Sequence, residues 1–310
     1  MREDRMTFSA RLLRPGLLAL LVTLSAACGG GSSKSTTTGE FLALSYNVAG
    51  LPEGLSSSHP ERFTQYISPL LNGYDLVVVQ ESWQTPDPNP FAPTRVYHEI
   101  LAADADHPYK SIPAEQPLGM DPRRPEALLA DGLNQFSRFP FEPVIREAWA
   151  GCDNSAADCL AFKGFSVART TFADGVTIDV YNLHAEAGGT PHDEQLRDEG
   201  ITQLLTFMNE YSGGGAVIVG GDFNLHTDEE PDSSQFQRLL AEGGLTDVCA
   251  SLGCPQPGRI DKFLFRSSDR IEIEATWWRF ETDVFVSPEG EALSDHDPLA
   301  VRFVWTATGS

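Results

Sequence analysis

The sequence predicts an α/β protein in which antiparallel-rich β-sheets are covered by helices. Short β-branched and aromatic segments recur along the chain, and many of them are neighbours joined by short links. The segments Phe162–Thr171 and Val176–Leu183 flank Asp174-Gly175, which is a strong hairpin signal. Amphipathic helical segments lie between such strand pairs. With 310 residues and 41% hydrophobic content, these elements fit one large domain, which we place at residues 40–306.

Residues 1–28 have the features of a signal peptide. Four arginines precede an apolar run, Leu17–Leu24, that is too short to span a bilayer as a helix. Small residues then lead to Cys28, and the segment resembles a bacterial lipobox, in which that cysteine is lipidated after cleavage. It departs from the usual pattern because Ser25 stands where an aliphatic residue is normal. We expect export with a membrane tether at Cys28, and plain secretion is the alternative. Residues 29–39 should form a flexible linker.

The first half of the domain begins with a strand. Phe41–Val48 is β-rich and alternates between apolar and polar residues, whereas Asp75–Glu81 is apolar on both faces. Glu61–Leu71 carries its apolar residues at helical spacing. The other expected elements are a proline-rich loop over Ser82–Thr94, a helix over Thr94–Ala103, an edge strand over Tyr109–Ile112 and a strand over Gly132–Arg138.

The second half follows the predicted hairpin. Asp193–Tyr211 has the apolar stripe of an amphipathic helix, and the glycines Gly213–Gly215 end it. Ala216–Val219 is a short β-branched run, typical of a strand buried on both faces. The remaining elements are a helix over Ser234–Leu240 and strands over Arg259–Phe265, Ile271–Trp278 and Leu299–Trp305.

The charge of the chain bears on its partners. The formal net charge is −22, and removal of the signal peptide, which holds four arginines and two acidic residues, would make it more negative. Such a field repels long polyanions, and no basic stripe of the kind that binds nucleic acid is visible. The charge disfavours a nuclease without excluding one, because a bound metal ion can reverse the field at a site.

Four cysteines beyond residue 28 form two close pairs. Cys152 and Cys159 are seven residues apart, and Cys249 and Cys254 are five apart. In an exported protein these pairs predict two local disulfides. Zinc binding is the alternative, but these spacings fit no common zinc motif and no histidine stands beside either pair.

Residues 216–226, AVIVGGDFNLH, contain a pair of polar residues after a buried strand. If the extended backbone continues past Gly220 and Gly221, Asp222 and Asn224 lie on one face. A carboxylate and an amide in that position can hold a hard cation, a water molecule or a phosphate. Taken alone, however, this stretch is more typical of an Asx-rich turn after a strand.

The remaining strands show the same feature. Six β-type segments carry Asp, Glu, Asn or His at or near an end, and there is no lysine among these polar residues. Catalytic groups are commonly held at the ends of strands in a rigid sheet. These residue types suit an oxygen-ligated Mg²⁺ or Mn²⁺ together with an imidazole acid or base. The residues are Asn47, Glu81, Asn182 with His184, Asp222 with Asn224, Asp261, and Asp295 with His296.

Seven motifs stand in the order found in the endonuclease/exonuclease/phosphatase superfamily. They are SYNV, VVVQE, GLNQFSRFP, VYNLH, VGGDFN, RID and LSDHDPLAV, and the similarity runs from residue 44 to residue 304. The chain therefore resembles this superfamily, which includes pancreatic-type deoxyribonucleases, AP endonucleases, inositol-phosphate 5-phosphatases and neutral sphingomyelinases. The resemblance implies a four-layer α/β sandwich of two packed, largely antiparallel β-sheets flanked by helices, with the site at one edge of the sheets.

The resemblance also implies which residues bind the metal ion. Glu81 would be the principal ligand, Asn47 its neighbour, and Asp295 would lie beside the metal. Asp222 would join the metal or orient the attacking water. The implied cofactor is Mg²⁺ or Mn²⁺.

Four residues receive catalytic roles in addition to Asp222. The resemblance implies that His296 is the general base and that Asp261 orients its imidazole. Asn224 would hold the scissile phosphate, and His184 would contact it and stabilise developing negative charge. This division suits in-line hydrolysis of a phosphodiester, which requires charge neutralisation and a proton acceptor near pH 7.

Some residues depart from the family pattern or match none of it. Lys262 follows Asp261 where many members have an aromatic residue, and Asn134 and Gln135 replace small or aliphatic residues, so all three could shape the substrate pocket. Five histidines match no motif and are expected at the surface: His59, His98, His107, His192 and His226.

We expect an exported, monomeric, Mg²⁺-dependent phosphodiesterase of the sphingomyelinase or phospholipase C type, acting on a phospholipid headgroup. An extracellular DNase I-like endonuclease acting on nucleic acid is the first alternative, because both would use the same catalytic residues. The second is a surface-binding lipoprotein that has kept the fold and lost the activity.

Overall fold

Two six-stranded mixed sheets packed face to face form the centre of the molecule, and helices cover both outer faces. This computed structural model describes residues 36–53, 55–83, 96–154, 157–256 and 258–309. The arrangement confirms the predicted four-layer α/β sandwich. The elements are β1 (Thr36–Asn47), α1 (Pro60–Leu70), β2 (Leu76–Gln80), α2 (Tyr97–Ala103), β3 (Tyr109–Lys110), β4 (Asn134–Ser137), β5 (Ile145–Ala148), β6 (Gly164–Ala173), β7 (Val176–His184), α3 (Pro191–Tyr211), β8 (Val217–Asp222), α4 (Asp232–Gly243), β9 (Thr246–Asp247), α5 (Val248–Leu252), β10 (Asp261–Arg266), β11 (Ile271–Phe280) and β12 (Leu299–Thr308).

Each sheet contains one parallel pair among antiparallel neighbours. The first sheet has the order β11-β12-β1-β2-β4-β3, and β1 runs parallel to β2. The second has the order β5-β6-β7-β8-β10-β9, and β7 runs parallel to β8. Because parallel strands end at the same edge of a sheet, each pair brings two strand ends together. The residues of the candidate site lie at or next to these four ends.

Three apolar clusters hold the layers together. Phe41, Val78, Ile218 and Phe303 belong to the cluster between the two sheets. A second cluster packs α3 and α4 on the outer face of the second sheet, and a third packs α1 and α2 on the outer face of the first. The strands at the centre of each sheet are therefore buried on both faces, which accounts for their continuous apolar runs.

Local signals define the long helix and the central hairpin. The Thr190 side chain accepts a hydrogen bond from the Asp193 backbone N–H, and the Asp193 side chain accepts one from that of Thr190, so α3 begins with a capping box. The turn between β6 and β7 places Gly175 at a φ of 74°, a conformation that suits glycine. The predicted hairpin is confirmed.

Most predicted elements are present, with a few differences. The sequence did not predict β5, β9 or α5. β1 begins at Thr36 and pairs there with β12, so the last residues of the expected linker are part of a strand. The expected loop over Ser82–Thr94 lies largely outside the described residues, and so do the expected signal peptide and Cys28.

Both predicted disulfides are present. Cys152 pairs with Cys159 at a Cα–Cα distance of 5.3 Å, and Cys249 pairs with Cys254 at 4.9 Å. Among the residues that the structure describes, no helix combines the length and apolar character needed to cross a membrane.

Two histidines expected at the surface are buried instead. The His98 ring stacks on Phe136 with 5.7 Å between centroids, and His107 Nε2 lies 2.9 Å from the Tyr74 carbonyl oxygen. Burial lowers the pKa of His98 to about 4, so its ring is neutral. The expectation was wrong for these two residues because apolar partners distant in sequence enclose them.

Gly221 allows the close approach of β8 to β7. A Cβ atom at this position would lie 2.2 Å from the Leu183 carbonyl oxygen, and its φ is 154°. We predict that Gly221→Ala lowers the free energy of unfolding by about 2 kcal/mol or more. Urea unfolding followed by circular dichroism measures the effect. Gly189→Ala is the control, since a Cβ there has no atom within 4 Å. Equal unfolding midpoints for the two variants would contradict the prediction.

Candidate active site

Strand pairing brings the predicted site residues to one edge of the two sheets. Asn47 pairs with Gln80 across β1 and β2, so Glu81 follows directly beside it. In the second sheet, Asp222 at the end of β8 lies between His184 of β7 and Asp261 of β10. The polar strand ends identified in the sequence are thus neighbours in space.

Asn47 connects the two sheets at this edge. Its side chain is fully buried, and Nδ2 donates to Glu81 Oε1 at 3.0 Å and to Asp222 Oδ2 at 3.2 Å. The same nitrogen lies 3.4 Å from His296 Nε2. The carboxamide oxygen accepts a hydrogen bond from the Ala49 backbone N–H at 3.0 Å. One amide therefore fixes the relative positions of a carboxylate from each sheet.

His296 is held between two carboxylates. Its Nδ1 lies 2.8 Å from Asp261 Oδ2, and its Nε2 lies 3.7 Å from Asp222 Oδ2. Burial alone would lower the pKa of His296, but the hydrogen bond and charge of Asp261, followed by the charges of Asp222 and Asp295, raise it to about 10. With the carboxylates uncompensated, the imidazole is protonated at neutral pH.

His184 has the opposite protonation preference. Its Nε2 lies 3.4 Å from Asp222 Oδ2 and 3.8 Å from Glu81 Oε1. Burial lowers the pKa of His184 well below its usual value, and the positive charges of Lys163 and His296 lower it further. Its ring is therefore neutral, and one ring nitrogen can donate a hydrogen bond while the other accepts one.

Asn224 lies in a turn and also at the site. The Asp222 carboxylate accepts a hydrogen bond from the Asn224 backbone N–H at 3.0 Å, which is an Asx turn. The φ of Asn224 is 47°, so the strand ends at Asp222 and its extended conformation does not continue. Nδ2 donates to the Ala185 carbonyl oxygen at 3.0 Å. The turn interpretation of this stretch is confirmed, and the role of Asn224 in a site stays a prediction.

The backbone beside Glu81 adopts an unusual conformation. Glu81 and Ala49 are non-glycine residues with φ values of 57° and 47°, and they follow the ends of the paired strands β2 and β1. Positive φ values at such residues cost about 1–3 kcal/mol each and concentrate at functional sites. Burial raises the pKa of the Glu81 carboxyl, while Lys163 and the hydrogen bond from Asn47 oppose that rise.

The donor set fits a hard divalent cation. One ligand atom from each of Asp222, Asp261 and His296 lies within 4.8 Å of the others. Within the described part of the chain, neither Glu81 nor Asp222 forms an ion pair with lysine or arginine. Buried carboxylates that lack such a partner favour a bound metal ion, and carboxylate and amide oxygens are the ligands that Mg²⁺ prefers.

Asp295 lies at the rim of this group. Its carboxylate accepts a hydrogen bond from Ser57 Oγ, and Ser294 Oγ lies 3.3 Å from Asp295 Oδ1. The Ser294 hydroxyl also donates to the Asn47 carbonyl oxygen at 2.7 Å, which anchors the loop that carries His296. The role of Asp295 beside a metal stays a prediction.

Lys163 contributes to the site although the sequence did not single it out. It forms a buried ion pair with Asp158, with Nζ 2.7 Å from Oδ1. Its charge influences the pKa values of both Glu81 and His184. The available signal was a lone lysine directly before the strand GFSV, where an apolar residue would be usual.

The three residues expected to shape the pocket contact buried groups in the structure. Lys262 Nζ lies 5.1 Å from the centroid of the Phe236 ring, on the helix side of β10 and opposite to Asp261. Asn134 donates to the Ser82 carbonyl oxygen at 3.2 Å, and Gln135 approaches Thr170 between the sheets. All three are buried, and their influence on the substrate pocket stays a prediction.

The Endonuclease/Exonuclease/phosphatase family model matches residues 44–296. A sphingomyelinase from Mycobacterium tuberculosis is 32% identical over 299 residues, which cover 90% of this chain and 55% of that relative. The chain thus spans about half the length of this curated relative.

Solved structures share the fold. Sphingomyelinase C from Streptomyces griseocarneus matches with a TM-score of 0.59 and 18% identity, over 85% of this chain and 99% of that one. A beta-toxin variant from Staphylococcus aureus with bound magnesium ions matches with a TM-score of 0.56 and 16% identity, over 85% and 99% of the two chains.

The geometry around His296 leads to a prediction about its titration. Asp261→Asn should lower the pKa of His296 in metal-free protein by more than about one unit, since the removed negative charge stabilises the imidazolium. The histidine ring signals, followed by NMR against pH in EDTA, report this value. Asp228→Asn, at an exposed acidic residue, is the control and should leave the titration unchanged. An unaltered titration in Asp261→Asn would refute the assigned contact.

Proposed function

The chain belongs to the endonuclease/exonuclease/phosphatase family, and from that premise we propose that it is an exported, Mg²⁺-dependent phosphodiesterase that hydrolyses a phospholipid headgroup. One observation carries the proposal: His296 lies between Asp261 and Asp222, beside Glu81 and Asn47, at an edge where two sheets meet. This set provides a base, its orienting carboxylate and oxygen ligands for a cation in one place.

Each residue has a defined part in the reaction. Asp261 accepts the hydrogen bond from His296 Nδ1–H, which fixes the tautomer and leaves Nε2 to take a proton from the attacking water. A divalent cation held by Glu81, Asp222 and a rotated Asn47 carboxamide would polarise the phosphate and offset the carboxylate charge that keeps His296 protonated. Asp295 is proposed to support this ligand set from the rim.

Two neutral donors act on the phosphate. His184 can donate from its ring to an oxygen that gains negative charge as the bond to water forms. Asn224 uses one of its two Nδ2 protons on the Ala185 carbonyl oxygen, so the second proton is available for the phosphate. Neither group needs to change protonation state during the reaction.

A lipid substrate is favoured over nucleic acid. The curated relative at 32% identity is named a sphingomyelinase, and the net charge of −22 repels a polyanion. Two disulfides suit an oxidising compartment, which supports export; we retain lipidation at Cys28 as the proposed tether. The same catalytic residues could serve an endonuclease, so the substrate requires direct measurement.

Metal dependence and substrate class can be tested together. Purified protein should release phosphocholine from sphingomyelin vesicles and hydrolyse bis-p-nitrophenyl phosphate with Mg²⁺, and EDTA should abolish both reactions. Added Mg²⁺ should restore them. Cleavage of plasmid DNA without lipid hydrolysis would identify the endonuclease alternative. No Mg²⁺-dependent cleavage of any of the three would support the inactive lipoprotein instead.

The role of His296 predicts the effect of its removal. His296→Ala should reduce kcat on bis-p-nitrophenyl phosphate by about 10²–10⁴-fold, the usual contribution of a positioned general base. His226→Ala is the matched control, because that residue is exposed and outside the site. Circular dichroism should show both variants folded. A folded His296→Ala variant with full activity would rule out the assigned base.

A further inference from the structure

Four large apolar side chains are exposed together on one surface. Leu118, Met120, Leu128 and Leu160 have exposed fractions of 49%, 77%, 47% and 39%, and we refer to them as the apolar lip. Apolar side chains scattered singly over a surface are normal, whereas a contiguous group marks an interaction site. The lip follows β3 and precedes β4 in sequence, apart from Leu160, which ends the disulfide-closed loop.

Backbone hydrogen bonds hold the lip together. The Gly119 N–H donates to the Ala127 carbonyl oxygen at 2.7 Å, and the Leu128 N–H donates to that of Leu160 at 2.9 Å. A Cβ atom at Gly119 would lie 3.9 Å from the Leu128 side chain, so the two sides of this loop are in contact. The lip is therefore one surface and not a chance list of exposed residues.

A buried arginine fixes the base of the lip. Arg124 donates to the Ala161 carbonyl oxygen at 2.7 Å and to that of Trp149 at 3.0 Å. These hydrogen bonds connect the loop that carries Met120 and Leu128 to the backbone on both sides of the disulfide-closed loop. An apolar group on such a support can insert into a partner without first becoming ordered, which lowers the entropic cost of binding.

The lip adjoins the candidate active site. The Ala130 carbonyl oxygen, two residues after Leu128, accepts a hydrogen bond from Trp83 Nε1 at 3.1 Å. Trp83 follows the metal-ligand candidate Glu81 by two residues, and its ring centroid lies 6.5 Å from that of His184. Trp83 thus contacts both the segment that carries Leu128 and a residue that would hold the phosphate.

The charges around the lip differ from those of the whole chain. Asp121 and Arg123 form an ion pair at 2.7 Å, and Arg124 offsets the charge of Glu126, so residues 118–128 carry no formal net charge. The chain carries a net charge of −22. An almost neutral apolar surface on an acidic protein suits a zwitterionic bilayer, while an anionic bilayer would repel the rest of the molecule.

We propose that the apolar lip inserts into the surface of a zwitterionic lipid bilayer and places the active site against the headgroups. This inference rests on the proposed function, because a phosphodiesterase that acts on headgroups must approach the bilayer with its site facing it. Insertion buries the four side chains in the interfacial region, and the attraction comes from apolar burial and not from charge.

The test measures vesicle binding separately from catalysis. Full-length protein with Cys28→Ser, which removes the proposed lipid tether, is sedimented with vesicles of sphingomyelin and phosphatidylcholine in EDTA, so that no turnover occurs. Leu118→Ser, Met120→Ser and Leu128→Ser combined should lower the partition coefficient at least about tenfold, since three apolar side chains lose their transfer energy. Replacing part of the phosphatidylcholine by an anionic lipid should weaken binding of the unaltered protein.

A matched pair of single variants provides the control. Met120→Ser should reduce vesicle binding, whereas Trp277→Ser, at a residue 38% exposed on β11 at the far edge of the first sheet, should not. Equal binding by the triple variant and the unaltered protein, or no sedimentation of the unaltered protein, would overturn the proposal. So would a dimer of the unaltered protein that the triple variant converts to a monomer, because the lip would then join two copies.

The soluble substrate separates this proposal from the one on which it rests. The triple variant should hydrolyse bis-p-nitrophenyl phosphate at the unaltered rate while its activity on vesicles falls. If the unaltered protein binds vesicles through the lip but cleaves no phosphodiester with Mg²⁺, the proposed function fails and the docking surface stands.

Discussion

The candidate site depends on a buried hydrogen bond between the two sheets. Gln80 Nε2 donates to Asn182 Oδ1 at 2.7 Å, and Asn182 Nδ2 donates to the Val79 carbonyl oxygen at 2.9 Å. Apolar contacts between sheets tolerate small displacements, whereas a directional bond between buried amides does not. Glu81 follows Gln80 directly, and His184 follows Asn182 by two residues. The bond therefore sets the distance between the carboxylate of one sheet and the imidazole of the other.

The electrostatics of the site follow from that geometry. Glu81, Asp222 and Asp261 converge where two sheets meet, and burial removes the water that would screen them. The carboxylates raise the pKa of His296, which therefore keeps its proton, and the positive charge of Lys163 offsets part of their negative charge. The remaining negative charge suits the proposed divalent cation.

Sequence patterns predicted the strand ends well because a strand that is buried on both faces has a continuous apolar sequence. The ends of β1, β2, β7, β8 and β10 could be located in this way, and the family motifs supplied the order. Sheet order and side-chain direction were harder to predict. Lys262 faces Phe236 because of the pleat of β10. His107 is buried against the Tyr74 carbonyl, and this contact was not predicted because the two residues are distant in sequence. Two-residue β9 carries no periodicity at all. Such features depend on tertiary partners that a local pattern does not contain.

Substrate choice in this protein is a property of its surface more than of its catalytic residues. In the proposed reaction, His184 and Asn224 contact the phosphate group, which a lipid headgroup and a nucleic acid share. A nucleic acid must approach along an extended backbone and is repelled by acidic side chains over its whole length. A headgroup presents one phosphate at a time, and the bilayer beneath it offers apolar burial to Met120 and its neighbours. Under the proposed function, an acidic surface with an apolar lip beside the site would separate the two substrates before either reached His296.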